Sequence, residues 1–60
     1  MPTFTILITD DRYAVPTMAF VEAPDVASAV EIAEWRLGES RHHRSIEVRE
    51  DDMVVATVVR

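Results

Sequence analysis

Two residues on which very small folds often lean are missing or nearly so. The chain has no cysteine, and glycine occurs once, at position 38. Without thiols, neither a disulfide nor a thiolate-bound zinc can staple the fold. Lysine is absent too, so all positive side-chain charge rests on six arginines against eleven carboxylates, a formal charge of −5. A net negative field repels phosphate backbones and anionic lipid, which makes nucleic acid and membrane surfaces poor partners. Apolar runs such as Met53 to Ala56 are only a few residues long, far short of a bilayer span. The Met-Pro-Thr-Phe-Thr start lacks the basic residues and apolar run of a signal peptide, and the expected location is the cytoplasm.

What is present is a hydrophobic fraction of 48% in 60 residues, ample for a globular core and too rich for a disordered tail. Residues 1–60 are expected to form a single domain. A domain of this size buries only about 60% of the surface its unfolded chain exposes. With disulfides and thiolate zinc sites excluded, an efficient core or self-association is expected to supply the stability.

Periodicity predicts the elements. Thr3 to Thr9 alternates, with Phe4, Ile6 and Ile8 on one side and threonines on the other, which reads as a half-buried strand. Asp10-Asp11-Arg12 turns the chain, and a second strand follows over about Tyr13 to Glu22, with Met18 and Phe20 on one face. Pro16 inside it cannot donate to a ladder and marks a sheet edge. Asp25 is a natural N-cap, and Val26, Ala29, Val30, Ala33 and Leu37 then lay an apolar stripe along a helix from Asp25 to Leu37. Gly38 falls where a left-handed terminating residue is expected. Ser45 to Glu50 alternates again, Glu50-Asp51-Asp52 turns, and Met53 to Val59 is apolar on both faces, as a central strand would be. The expected fold is α+β, ββαββ, a four-stranded mixed sheet of order 2-1-4-3 with one helix on one face.

Two surfaces are not absorbed by that fold. At about 100° per residue, Trp35 falls nearly opposite the apolar stripe and Ile32 at its margin, so both are candidates for an association patch. The sheet face away from the helix is the second. If Phe4, Ile6 and Ile8 face the helix, Leu7 turns outward, joined by Val54, Ala56 and Val58 or by Met53, Val55 and Val59. A chain with one helix cannot cover both faces, and a homodimer is the expected partner arrangement.

The one basic stretch, Arg41, His42, His43 and Arg44, is a candidate site for an anion or an acidic partner, tunable near neutral pH through imidazole. It also stands where cations meet the negative end of the helix dipole. Adjacent histidines in extended backbone point to opposite sides and lack the i, i+4 spacing of a metal pair. The acidic turns lack the calcium-loop pattern. Ser28, Ser40 and Ser45 carry no elbow motif, so no catalytic constellation, metal or cofactor is expected.

The stretch F-V-E-A-P-D-V-A-S-A-V-E-I-A, Phe20 to Ala33, followed by H-R-S-I-E-V-R-E-D-D-M-V-V, His43 to Val55, resembles a group of small bacterial ββαββ proteins of unknown function. In these an Asp-capped, alanine-rich helix precedes a hydrophobic-Glu-hydrophobic strand and an acidic turn. Asp11-Arg12-Tyr13 with Asp25, Ala29 and Ala33 is also similar to the D-G-x-Y strand start and D-x-x-x-A-x-x-x-A helix of HicB-type antitoxins. This chain departs from them in lacking the turn glycine and the Pro-Gly before the helix, and in having two strands after it. The expected function is a non-enzymatic interaction module that self-associates; the alternative is a HicB-like regulator that binds nucleic acid or a toxin partner.

Overall fold

Side-chain alternation and two short acidic turns organise the chain into five elements. A computed structural model describes residues 1–60. In chain order these are β1 (Thr3–Asp10), β2 (Thr17–Glu22), α1 (Val26–Gly38), β3 (His43–Glu50) and β4 (Met53–Val59). The α+β, ββαββ architecture is as expected. The strand order is β2-β1-β3-β4, and every neighbouring pair is antiparallel.

That order corrects two expectations, the 2-1-4-3 arrangement and the mixed sheet. β2 and β3 do run in the same direction, as the length of α1 requires, but β1 lies between them. The choice lay in which strand of the β3–β4 hairpin packs beside β1. β3 offers Ile46 and Val48, which pair with Ile8 and Ile6 and are completely buried. β4 in that place would offer Ala56 and Val58, and it would run parallel to β1, a slightly weaker pairing per residue. β4 therefore takes the edge despite its apolar sequence, and the charges of β3 find places on the uncovered face.

The core is a single layer between sheet and helix. Phe4, Ile6 and Ile8 of β1, Val21 of β2, and Ile46 and Val48 of β3 pack against Ala29, Ala33 and Leu37. The alanines keep the helix close to the strands, and α1 lies mainly over β3 and β4. Ile32 is half-buried and packed against this core, because the sheet is wider than one helix and flank residues still reach it. β2 lies at a sheet edge, but it begins only at Thr17, so the expected strand from Tyr13 is shorter and Pro16 stands before it, outside the ladder.

The helix ends are closed by side chains. The Asp25 carboxylate accepts from the amide of Ser28 at 2.8 Å. At the other end Gly38 is helical and has no positive φ, so the expected left-handed cap is not used. Instead the Glu39 amide donates to the Arg36 carbonyl. His43 donates to that same carbonyl, and Arg60 donates to the carbonyls of Leu37 and Ser40. Those donors occupy carbonyls that a helix end otherwise leaves open.

The β3–β4 hairpin turns on Asp51 and Asp52, both in the left-handed region with φ of 50° and 66°. Two residues with positive φ suit a tight hairpin, but glycine suits the second position better than aspartate. Asp52→Gly should raise stability by about 1 kcal/mol through relief of that conformation. Ile6→Ala, at the centre of the core, should lower it by about 2–5 kcal/mol. Urea denaturation of both variants beside the parent chain measures each shift.

Candidate functional site

Three places on the molecule gather functional groups: the end of the sheet beside the helix C-terminus, the uncovered sheet face, and the outer side of α1.

At the sheet end, β1 finishes in Asp10, and the backbone shifts register between Thr9 and Asp10 so that Asp10 pairs with His43. Asp10 is buried, and its carboxylate accepts from the Arg12 amide at 2.8 Å and from the Arg12 guanidinium at 3.0 and 2.7 Å. The same guanidinium lies over the Tyr13 ring, 5.3 Å from its centroid. The Arg12 guanidinium first of all, then its amide, and further the charge of His43, hold the Asp10 carboxyl far below the usual carboxylate range. Arg12 is raised in turn by Asp10.

Asp11 ties down the basic stretch. Its carboxylate accepts from His42 Nδ1 at 2.8 Å and from Arg44 Nε at 3.1 Å, and its amide donates to the His42 carbonyl. His42 and then Arg44 lower its pKa. His43 points the other way: Nδ1 lies 2.8 Å from the carbonyl oxygen of Arg36, which can only accept, so Nδ1 carries a proton. Its Nε2 faces Asp10 at 3.8 Å. The two histidines thus diverge, though not within one extended segment as expected: His42 lies in the turn before β3, and His43 and Arg44 belong to β3. Of the four residues named from sequence, His42, His43 and Arg44 are engaged within the fold; Arg41 is exposed and makes no ion pair. The structure gathers no group of three or more carboxylate and imidazole side chains able to share a metal. Sequence reasoning missed Arg60 here, because only the strand order brings the end of β4 to the helix terminus.

The uncovered face follows from register. Thr5 is flanked by Phe20 and Arg49, and Leu7 by Met18 and Glu47. Beyond β3 come Val54, paired with Arg49, Thr57, paired with Glu47, and Val59, paired with Ser45. A register shift at Val48/Arg49 places Val54 on this face while Ala56 and Val58 turn to the helix, so neither of the two alternating sets expected for β4 holds intact. Leu7 sits half-buried at the centre and Val54 is exposed. Phe20 is 71% exposed. Thr5, Leu7, Met18, Phe20, Arg49 and Asp52 line a shallow depression of about 270 Å3. Arg49 donates to Glu47, two residues away on the same strand.

On the outer side of α1, Trp35 is 68% exposed, beside Glu34, Gly38 and Glu39. Ile32 turns inward, so the structure separates the two residues that sequence had grouped. No helix is long and apolar enough to cross a membrane. Comparison with protein-family models, curated proteins and solved structures finds no match to this chain.

The sheet-end network has a defined pH dependence. A carboxylate with a depressed folded pKa stabilises the fold above its ordinary value, 3.8 for Asp10, and loses that contribution as pH falls toward the folded value. Asp10→Asn should therefore lower the melting temperature at neutral pH and flatten its decline between about pH 4 and pH 2. Thermal unfolding by circular dichroism across that range measures both effects, and an unchanged acid limb would remove Asp10 from the account.

Proposed function

We propose that this protein is a non-catalytic interaction module that self-associates through the uncovered face of its sheet, two copies stacking sheet on sheet. The observation that carries this reading is the apolar row on that face: exposed Phe20, Met18, Val54 and Val59 around half-buried Leu7, with no layer above them. Burial of such side chains is the largest favourable contribution open to the chain. A domain this small has few other ways to gain stability.

A second copy is the occupant that fits best. Arg49 and Glu47 stand next to each other near the middle of the face. An isologous two-fold contact can set each Arg49 against the Glu47 of the other copy, so the charges complement themselves. The molecule measures 31 × 20 × 14 Å, and its broad face offers on the order of 600 Å2 per chain, or about 1,200 Å2 for the pair. That is the lower end of stable interfaces and agrees with a dimer that dissociates on dilution. Packed sheets stand about 10 Å apart, close enough for Phe20 and Leu7 to interleave with their counterparts.

The alternative, a nucleic-acid-binding or toxin-binding regulator of HicB type, would use Arg41, His42, His43 and Arg44. It draws less support, because Asp11 and the Arg36 carbonyl already engage three of those four side chains.

Sedimentation equilibrium tests the dimer directly. The parent chain should move from monomer to dimer as concentration rises through the micromolar range. Phe20→Glu, at an exposed position, should remain monomeric with little change in its unfolding midpoint at low concentration. A parent chain that stays monomeric at millimolar concentration would exclude the proposal.

A further inference from the structure

Glu34, Trp35, Gly38 and Glu39 line an open groove of about 380 Å3 on the side of α1 turned away from the sheet. Three properties of this groove exceed what the helix needs for its own stability. Trp35, the chain's only tryptophan, holds its ring in solvent, while the residues that the helix itself buries are Ala29, Ala33 and Leu37. Glu31, Glu34 and Glu39 are all exposed around it, and only Glu39 has a cationic partner, Arg36 at 3.7 Å. Glu34 and Glu39 lie toward the C-terminal end of α1, where the helix dipole favours cations and disfavours carboxylates.

Gly38 is the third property and is independent of charge. The only glycine in the chain has a helical φ, so no backbone conformation demands it. A Cβ built there would meet nothing within 4 Å, so alanine would fit and would strengthen the helix. Glycine therefore stands on the lining of the groove with open space where a side chain would be.

We propose that this groove docks a basic polypeptide segment, with an arginine or lysine side chain laid across Trp35 and held between Glu34 and Glu39. A tryptophan face attracts a cation within about 6 Å of its centroid, and flanking carboxylates accept its N–H groups. Arginine suits the site better than lysine, since its planar guanidinium stacks on the ring while it donates at the edges. Nucleic acid and anionic lipid carry the wrong sign. A second copy is disfavoured as well, because a two-fold contact would bring two grooves of the same acidic sign together. The groove and the uncovered sheet face lie on opposite sides of the molecule, so either proposal can fail without the other.

The test uses the full chain, with Trp35 fluorescence as the signal and an acetylated hexapeptide of alternating alanine and arginine as the probe. The same peptide with citrulline in place of arginine is the neutral control. The arginine peptide should change the emission saturably, with a Kd on the order of tens to hundreds of micromolar. Binding should weaken severalfold between about 50 and about 200 mM salt, and the citrulline peptide should give no saturable change. The double variant Glu34→Gln, Glu39→Gln should bind about three- to tenfold more weakly, a loss set by two exposed charge contacts. Gly38→Leu should keep the circular dichroism spectrum and the melting temperature while losing the peptide. Equal responses to the two peptides, or unimpaired binding by Gly38→Leu, would overturn the proposal. A Trp35→Ala chain that loses self-association would assign the groove to a second copy and overturn it equally.

Discussion

One helix lies over one face of a four-stranded sheet, and the rest of the molecule follows from that imbalance. The layer it creates is thin: Phe4, Ile6, Ile8, Val21, Ile46 and Val48 on the strands, Ala29, Ala33 and Leu37 on the helix. Small helix residues bring the layers together but contribute little apolar area of their own. The large exposed side chains, Phe20 and Met18 on the sheet and Trp35 on the helix, lie outside this layer. A fold that spent its bulk for stability alone would place them inside. Their location is the observation on which the proposal of a partner rests.

The end of the sheet compensates for the thin core with polar contacts. Asp10 and Asp11 stand at the turn after β1, and each meets cations from a different direction. Arg12 folds back onto Asp10, while His42 and Arg44 reach Asp11 from the segment after the helix. His43 and Arg60 complete the arrangement by donating to the carbonyls at the end of α1. The N-terminal hairpin, the helix and the last strand therefore meet at one corner. Buried Asp10 is the member that cannot lose its partners, because a buried carboxylate without donors is strongly destabilising.

How much of this was legible in the sequence depends on the range of the interactions involved. Local patterns carried the five elements: alternation marked the strands, Asp25 marked the helix start, and Pro16 stands just before the start of β2. The sheet order was not legible. Apolar residues on both sides of β4 suggest a central strand, but the pairing of Ile46 and Val48 with Ile8 and Ile6 outweighs that preference, and nothing in a single sequence weighs one against the other. The side-chain set on the uncovered face was blurred by one register shift in β4, which reverses the alternation partway along. Gly38 was read through its usual role at helix ends, yet here Arg60 and His43 satisfy the last carbonyls. Trp35 was legible, since its position opposite the stripe needs only the helical period.

The two exposed surfaces gain meaning when taken together. A sheet-on-sheet dimer would bury Phe20 and Leu7 at its centre and leave both copies of α1 on the outside. The acidic groove beside Trp35 would then be displayed twice, on opposite sides of the pair. Single exposed charge contacts are weak and easily screened by salt. Two grooves on one rigid body can engage a partner with repeated basic segments at an effective concentration far above that of separate chains. The arrangement converts weak, salt-sensitive contacts into useful affinity only if the sheet faces associate first. On these two proposals the uncovered sheet face would set the assembly and the helix face would set the choice of partner. The −5 charge of the chain, carried by carboxylates that include Glu31, Glu34 and Glu39, then acts as a filter as well as an aid to solubility.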